Sequence, residues 1–313
     1  MRADVVVVTY RAVDILRPCL TALLRELPAD WTLTVADNAS GDGTAELVAA
    51  EFPVVRLLRL EENRGFGAGN NAAARGGTGD AVVLVNSDAY VEPGCLAALV
   101  APLEADPRVG MVAGLTVMPG DPEVVDALGV ELDPALGAYN RLRHRPVAAV
   151  AIPGAAGVLA GPSGALAAYR RTAWEAAGGF DETLFAYSED VDLALRLRAA
   201  GWRAAEAVDA RAVHIGGASI GVDSPRQRAW AGFGRGFLLR RYGVLRGRAA
   251  PRALLLEALV VAFGLVRHRT LVPLRSRVAG WRAAGARRVP VDPAAIDRSI
   301  TAREALRRLA GPH

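Results

Sequence analysis

From Val5 to Val117 short β-branched runs alternate with segments of helical spacing, and this alternation restricts the fold more than any single motif does. Val5–Thr9, Thr32–Ala36, Val54–Leu60, Ala81–Val85 and Val109–Val117 read as strands. The intervening Asp14–Leu27, the stretch around Thr44–Ala50, Asn71–Ala74 and Pro93–Leu103 read as helices. Such alternation implies an α/β fold, a largely parallel sheet with helices on both faces. Ligands of these sheets sit at the carboxyl ends of the strands, so function is expected of the residues that follow each strand.

Those residues are polar in each case. Thr9-Tyr10-Arg11 follows the first strand, Asp37-Asn38-Ala39-Ser40-Gly41-Asp42-Gly43-Thr44 the second, Asn63-Arg64-Gly65-Phe66-Gly67-Ala68-Gly69-Asn70-Asn71 the third, and Asn86-Ser87-Asp88 the fourth. One Asp-Asn-Gly cluster is ordinary turn chemistry, whereas four at one sheet edge describe a pocket. Gly65-x-Gly67-x-Gly69 resembles the start of a dinucleotide fingerprint, but it follows the third strand rather than the first and has Asn70 where glycine is needed. Glycines that open a helix still bring backbone amides close to a phosphate.

Further along, Phe180 to Leu193 sets the carboxylates of Asp181, Glu182, Glu189, Asp190 and Asp192 among aromatic residues. Gly178-Gly179 suits the end of one helix, and Ser188 suits the N-cap of the next, with Glu189 and Asp190 in its first turn. The helix dipole there favours ionised acids. Helix capping alone would account for these residues, and the pocket at the strand ends argues for more.

The net charge of +4 conceals an asymmetry: residues 225–313 carry 19 arginines against 4 acidic residues, a formal +15, which leaves −11 for residues 1–224. Every basic residue is arginine. Such a tail suits an anionic membrane surface or nucleic acid, and no signature of a nucleic-acid module accompanies it. Cys19 and Cys95 lack metal-ligand spacing and are expected to be reduced thiols of a cytoplasmic protein. Val5–Val8 is too short for the apolar region of a signal peptide. Ala253–Val266, the longest apolar stretch, is broken by Glu257 and falls short of the ~18 apolar residues of a membrane span.

Thr9-Tyr10, Asp37-Asn38-Ala39-Ser40, Asn63 to Asn71, Asn86-Ser87-Asp88, and Gly179-Phe180-Asp181-Glu182 through Glu189-Asp190-Val191-Asp192-Leu193 resemble, in order, the motif set of the family 2 glycosyltransferases of GT-A fold. The rhamnosyltransferase-like bacterial subgroup is the most similar, and the resemblance covers roughly residues 4–220. It implies a Rossmann-like catalytic domain over 1–222 and a basic helical region over 223–313. By resemblance, a nucleotide-diphosphate sugar would be bound by Thr9, Tyr10, Arg11, Asp37, Asn38, Arg64, Gly67, Asn70, Asn86, Ser87 and Asp88. Asn86-Ser87-Asp88 takes the place of the family's Asp-x-Asp metal motif with its first Asp replaced, so Asp88 would carry most of the charge facing Mg2+ or Mn2+. His214 matches the position of a further metal ligand, although a lone histidine is equally at home as a structural residue. Asp190 would take the proton of the acceptor hydroxyl, with Glu189 orienting the site, in a single displacement with inversion.

Pro119–Pro162 is expected to be an irregular excursion over the site, followed by the acceptor-side segment Gly161 to Arg171, in which Arg170 or Arg171 either touches a diphosphate or stands as a solvated charge. Beyond Ser219 the resemblance fades, and Trp230, Phe233, Phe237, Leu238 and Tyr242 recur at helical spacing, predicting a basic helix with an aromatic face. Gln227-Arg228-Ala229-Trp230 lacks the arginine of the processive synthases' Gln-x-x-Arg-Trp, so one sugar per reaction is expected. The implied acceptor is a growing glycan, polyprenyl-linked, with the protein peripheral on the inner face of the cell membrane; a homo-oligomer interface is the other use for the arginine-rich helices. A sugar nucleotidyltransferase would need a glycine-rich basic loop where Thr9-Tyr10-Arg11 stands. A non-catalytic glycan-binding module would have no use for Asp88, Asp190 and His214 together.

Overall fold

The computed structural model describes residues 1–152, 154, 156–216, 224–286 and 288–310, so the expected boundary at 222/223 and Ser219 lie outside the described residues. The first half runs β1 (Ala3–Thr9), α1 (Val13–Glu26), β2 (Thr32–Asp37), α2 (Thr44–Glu51), β3 (Arg56–Arg59), α3 (Gly65–Ala74), β4 (Ala81–Val85), β5 (Ala89–Val91), α4 (Cys95–Ala105) and β6 (Val109–Met118). Next come β7 (Asp121–Leu128), β8 (Val130–Leu132), β9 (Ala138–Asn140), β10 (Leu166–Arg170), α5 (Arg171–Ala177), α6 (Glu189–Ala199) and β11 (Arg203–His214). The arginine-rich end forms α7 (Pro225–Arg241), α8 (Ala250–His268), α9 (Val272–Ala283) and α10 (Ala302–Ala310).

The central sheet has the order β3-β2-β1-β4-β10-β6-β11-β5, with β7 added on β6. Its first four strands are parallel, as the alternation predicts. The second part is mixed: β10 enters antiparallel between β4 and β6, β11 returns parallel to β6, and β5 and β7 are antiparallel additions. Alternate side chains of β1 feed two cores. Val5 and Val7 pack with Leu16, Leu20, Leu96 and Leu99 of α1 and α4, while Val6 joins Tyr169, Trp174, Phe180 and Leu193 on the opposite face.

Pro119–Pro162 is more regular than expected. Asp121–Leu128 is a strand because its last four residues, Val125 to Leu128, are buried against β6, and β8 pairs with β9 as a small antiparallel ribbon. Pro122, Asp121 and Glu123 at the exposed start of β7, and Asp126 within its buried half, hide this short run in the sequence.

The aromatic helix is present as α7, and its aromatic side faces inward. Trp230 stacks on Phe185 with ring centroids 4.7 Å apart, and Phe237 is buried. Leu238, Leu239 and Tyr242 share a core with Val191 and Leu195 of α6 and Leu132 of β8. Gly234 allows the close approach, since a Cβ there would meet the carbonyl oxygen of Tyr187 at 2.7 Å.

Candidate active site

The polar residues after β1 and β2 meet because the strands are in register, Thr9 beside Asp37. Asn38 N–H donates to the Thr9 carbonyl at 2.9 Å. Asp37 accepts from the Ser40 hydroxyl and, at 3.3 Å, from the Ser40 N–H, while Ser40 Oγ accepts from Arg11 N–H at 2.9 Å. Arg11 and Ala39 hold left-handed backbone (φ 51° and 59°), a strained conformation for side-chain-bearing residues that the surrounding hydrogen bonds fix. Thr9 Oγ1 is buried with no hydrogen-bond partner. Tyr10 is half-buried and carries the exposed Arg11 guanidinium 5.3 Å from its ring centroid.

The glycine-rich loop serves packing. Asn38 clamps it, donating to the Gly65 carbonyl and accepting from Arg64 N–H, both at 2.9 Å. Gly65 has φ 86°, and a Cβ there would overlap the Phe185 carbonyl, which accepts from Phe66 N–H at 2.8 Å. Cβ atoms at Gly67 and Gly69 would press on Phe180 (3.1 Å) and Val8 (2.8 Å). Asn70 donates to the Phe66 carbonyl, and Arg64 pairs with Glu182 at 2.7 Å. Asn38, Gly67 and Asn70 therefore place α3 against β1 and the 180–185 segment, with both polar atoms of the Asn38 amide and the Asn70 Nδ2 engaged inside the fold.

Asn86, Ser87 and Asp88 turn out of β4 into β5. His214, the last residue of β11, lies in register with Ala89, and Ile215 N–H donates to the Asp88 carbonyl at 3.0 Å. This pairing puts His214 Nε2 3.4 Å from an Asp88 carboxylate oxygen and 3.4 Å from Asn86 Nδ2. On the other side of the ring, Nδ1 lies 2.8 Å from Asp126 Oδ2, and Asp126 also accepts from the Thr116 hydroxyl at 3.1 Å. Burial would lower the His214 pKa, but hydrogen bonds and charge from Asp126 and Asp88 raise it to about 9. Burial likewise pushes Asp126 up, and His214 and Arg143 hold its carboxyl below the usual range. Asn86 Oδ1 is buried without a partner. Asn86 Oδ1, the Asp88 carboxylate and, once its Nε2 proton is displaced, His214 are a donor set of the kind that accepts a divalent cation, with Asp126 holding the Nδ1 side of the ring. Among the described residues, no three His, Cys, Asp or Glu side chains are already gathered as a metal cage.

Glu189 and Asp190 open α6, and the residues before them, Tyr187 and Ser188, are both left-handed (φ 67° and 73°). Ser188 occupies the N-cap position, with its carbonyl accepting from Asp192 N–H at 2.9 Å and its side chain making no cap bond. Asp190 accepts from Val191 N–H at 2.8 Å and from Gly164 N–H at 3.2 Å. Next to Gly164, the Ala165 carbonyl accepts from Asn86 N–H at 3.0 Å. The Gly164-Ala165 pair thus joins the Asn86–Asp88 turn to the acid pair. Burial, then the Asp190 charge, raises the Glu189 pKa to about 8, and Glu189 Oε2 is buried without a partner. Burial raises Asp190 as well, but its two backbone donors favour its charged form. Two adjacent buried carboxyls cannot both ionise easily, so the proton resides on Glu189 and the charge on Asp190. Asp192 points elsewhere, fully buried against Arg196 (2.7 Å) and the Tyr242 hydroxyl (2.8 Å).

Arg170 and Arg171 correct the expectation of a diphosphate contact. Arg170 donates to the carbonyls of Leu103, Asp106 and Val109, and Arg171 to Asp4 and the Gly79 and Ala74 carbonyls. β10 is antiparallel to β4, so its last residue, Arg170, lies beside Ala81, at the far end of the sheet from Asn86. Asp126 and the Gly164-Ala165 bridge are absent from the residues expected at the site; a lone acid inside the apolar run Val124-Val125-Asp126-Ala127-Leu128 was the available signal. A cavity of about 440 Å³ between α5, α6 and residues 288–290, lined by Ala173, Arg196, Trp202 and Arg241 among others, contains none of the strand-end residues, and Arg196 and Arg241 are ion-paired with Asp192 and Asp181.

The sequence and the fold are similar to those of known proteins. The family described as "Glycosyltransferase like family 2" matches residues 2–232. An N-acetylglucosaminyl-diphospho-decaprenol L-rhamnosyltransferase of Mycobacterium tuberculosis is 31% identical over 250 residues, covering 70% of this chain and 78% of the relative. Among solved structures, the mannosyltransferase PcManGT from Pyrobaculum calidifontis, in complex with GDP-Man and Mn2+, superposes with a TM-score of 0.54 at 25% identity over 99% of this chain and 81% of its own. GalNAc-T7 with UDP, GalNAc and Mn2+ gives a TM-score of 0.60 at 14% identity over 77% of this chain and 48% of its own, a likeness of fold.

Proposed function

The chain belongs to glycosyltransferase family 2, and from that premise we propose that it moves one L-rhamnose from a nucleoside-diphosphate donor to a hydroxyl of a lipid-linked cell-surface glycan, with inversion. The observation that carries this reading is the Gly164-Ala165 bridge, which holds Asp190 beside the Asn86–Asp88 turn. Thr9 and Asp37 hold the nucleoside, Thr9 Oγ1 being the buried group left to receive it. Tyr10 and Arg11 flank the opening to this end of the sheet. Asp88, Asn86 Oδ1 and His214 Nε2 are the groups that would hold Mg2+ or Mn2+, which supplies Lewis-acid neutralisation of the departing diphosphate. Asp190 accepts the proton of the acceptor hydroxyl as that oxygen attacks the anomeric carbon, and the neutral Glu189 donates a hydrogen bond that orients the acceptor. The support for the sugar and the acceptor is the mycobacterial relative, whose name specifies both.

Thermal unfolding in the presence of a panel of nucleoside-diphosphate sugars, with and without Mn2+, tests the donor half, because a ligand of the native state raises the midpoint by mass action. A Mn2+-dependent rise with a deoxyhexose donor is expected, and a flat response across the panel would end the proposal. Asp190→Asn should keep that rise and lose turnover by on the order of a hundredfold or more. Normal turnover in Asp190→Asn would reduce the acid pair to a helix cap.

A further inference from the structure

Among the arginine-rich helices, α8 carries an apolar outer side. Between Arg252 and Arg267 its only charged residue is Glu257, which turns inward to pair with Arg235 and Arg277. Arg252 also turns inward, to Asp133 at 2.8 Å and the Ile300 carbonyl at 2.9 Å. Ala253, Leu256 and Gly264 form the buried stripe. Leu254, Leu255, Leu259, Phe263, Leu265 and Val266 are left between 41% and 82% exposed. At about 100° per residue these six cover roughly half the helix circumference. Leu271, Leu274 and Val278 extend the exposed apolar surface into α9.

Both ends of this face are ringed by cations. Arg246 and Arg248 are exposed just before α8, Arg267 and Arg269 at its end, and Arg275 and Arg282 on α9. Among the described residues no helix is long and apolar enough to cross a membrane. An apolar half-cylinder with arginines at its margins is the pattern of a helix lying in the headgroup layer, apolar side toward the acyl chains and guanidinium groups at the phosphates.

We propose that the outer face of α8 docks this protein flat onto a bilayer containing anionic lipid. Charge decides between this occupant and a second copy of the chain. A two-fold dimer that paired α8 with α8 in either direction would bring exposed arginines of one copy against those of the other at each end of the contact, whereas anionic headgroups neutralise them. The surface depends on the fold of residues 244–283 and not on the reading of the pocket, so the two can fail separately.

Flotation of the full-length protein with vesicles of phosphatidylcholine alone, and of phosphatidylcholine mixed with phosphatidylglycerol, tests the assignment. Binding should occur with the anionic vesicles and weaken as salt is raised, because exposed charges are screened within about 8 Å at physiological ionic strength. Leu259→Gln/Phe263→Gln, two exposed positions, should weaken binding about tenfold or more without moving the thermal midpoint. Arg267→Gln/Arg269→Gln should remove the preference for anionic lipid. Failure to float with either vesicle at low salt would overturn the proposal, as would full binding by the Leu259→Gln/Phe263→Gln variant. A stable dimer in sedimentation that this variant dissolves would assign the face to a second copy instead.

Discussion

Glu189→Gln separates the two carboxyls of the acid pair. Burial and the Asp190 charge raise the Glu189 pKa from 4.5 to about 8, so the native protein holds this proton across a pH range in which the unfolded chain has released it. Stability falls with pH wherever the native state binds more protons than the unfolded one. The Glu189 contribution is therefore complete below about pH 4.5 and is lost progressively as pH rises toward 8. At ~1.4 kcal/mol per unit the loss is about 3 kcal/mol by pH 7 and about 4 kcal/mol by pH 8. Glutamine has the same shape and no proton to lose. The stability of Glu189→Gln relative to the native sequence should thus climb between pH 5 and 8 and level off above. Urea midpoints of both proteins at each pH provide the measurement. A difference that stays constant with pH, or that falls, would refute the placement of the proton on Glu189. Turnover gives a second test: at pH 7 the variant replaces one neutral hydrogen-bonding group by another, so its rate should stay within several-fold of the native protein.

Asp88→Ala should abolish the Mn2+-dependent part of nucleotide binding and, because it takes one of two anionic partners from the buried His214 ring, also lower the thermal midpoint; undiminished Mn2+-dependent binding in calorimetry would remove Asp88 from the metal site. Asp126→Asn takes the anionic partner from His214 Nδ1, so the imidazole titration followed by NMR should move from about 9 toward 6.5, and Mn2+ affinity should drop roughly 10- to 100-fold. An unchanged titration midpoint would show that Asp126 does not govern the ring. Tyr242→Phe removes the buried hydrogen bond to Asp192 and should cost about 1–3 kcal/mol in urea unfolding with donor affinity intact, and an unaltered midpoint would contradict the structural role given to Asp192.

The parallel half of the sheet and the polar strand ends were legible because both depend on short windows. A β-branched run of five residues announces a strand, and the position after it is fixed by topology alone, so Thr9, Asp37 and Asn86–Asp88 follow from local pattern. Arg170 and Arg171 misled for a related reason: a basic pair after a glycine-rich segment looks like a phosphate contact until β10 is known to run antiparallel and carry it away from the site. Periodicity also showed that α7 has an aromatic face without saying where it points. It points inward, to Phe185 and α6, and the uncovered apolar face is on α8, where the internal charge that argued against a membrane span is paired on the covered side.

His214 marks the limit of that local reading. As a lone histidine it could be structural or a ligand, and its own neighbours, Val213 and Ile215, do not discriminate. What decides is the company brought to its ring: Asp126 from 88 residues upstream on β7, and Asn86 and Asp88 from the turn after β4, Asn86 being 128 residues away. Each partner arrives by a different strand pairing, β7 on β6, β6 beside β11, and β11 on β5, so a register slip in any of them would empty one side of the ring. A one-residue slip turns every side chain of a strand to the opposite face, and Asp126 would then leave His214 for the other side of the sheet. The imidazole held between two aspartates is thus a property of sheet registration, and the site's capacity for a cation is bound to the mixed half of the sheet that the alternation of strands and helices did not foretell.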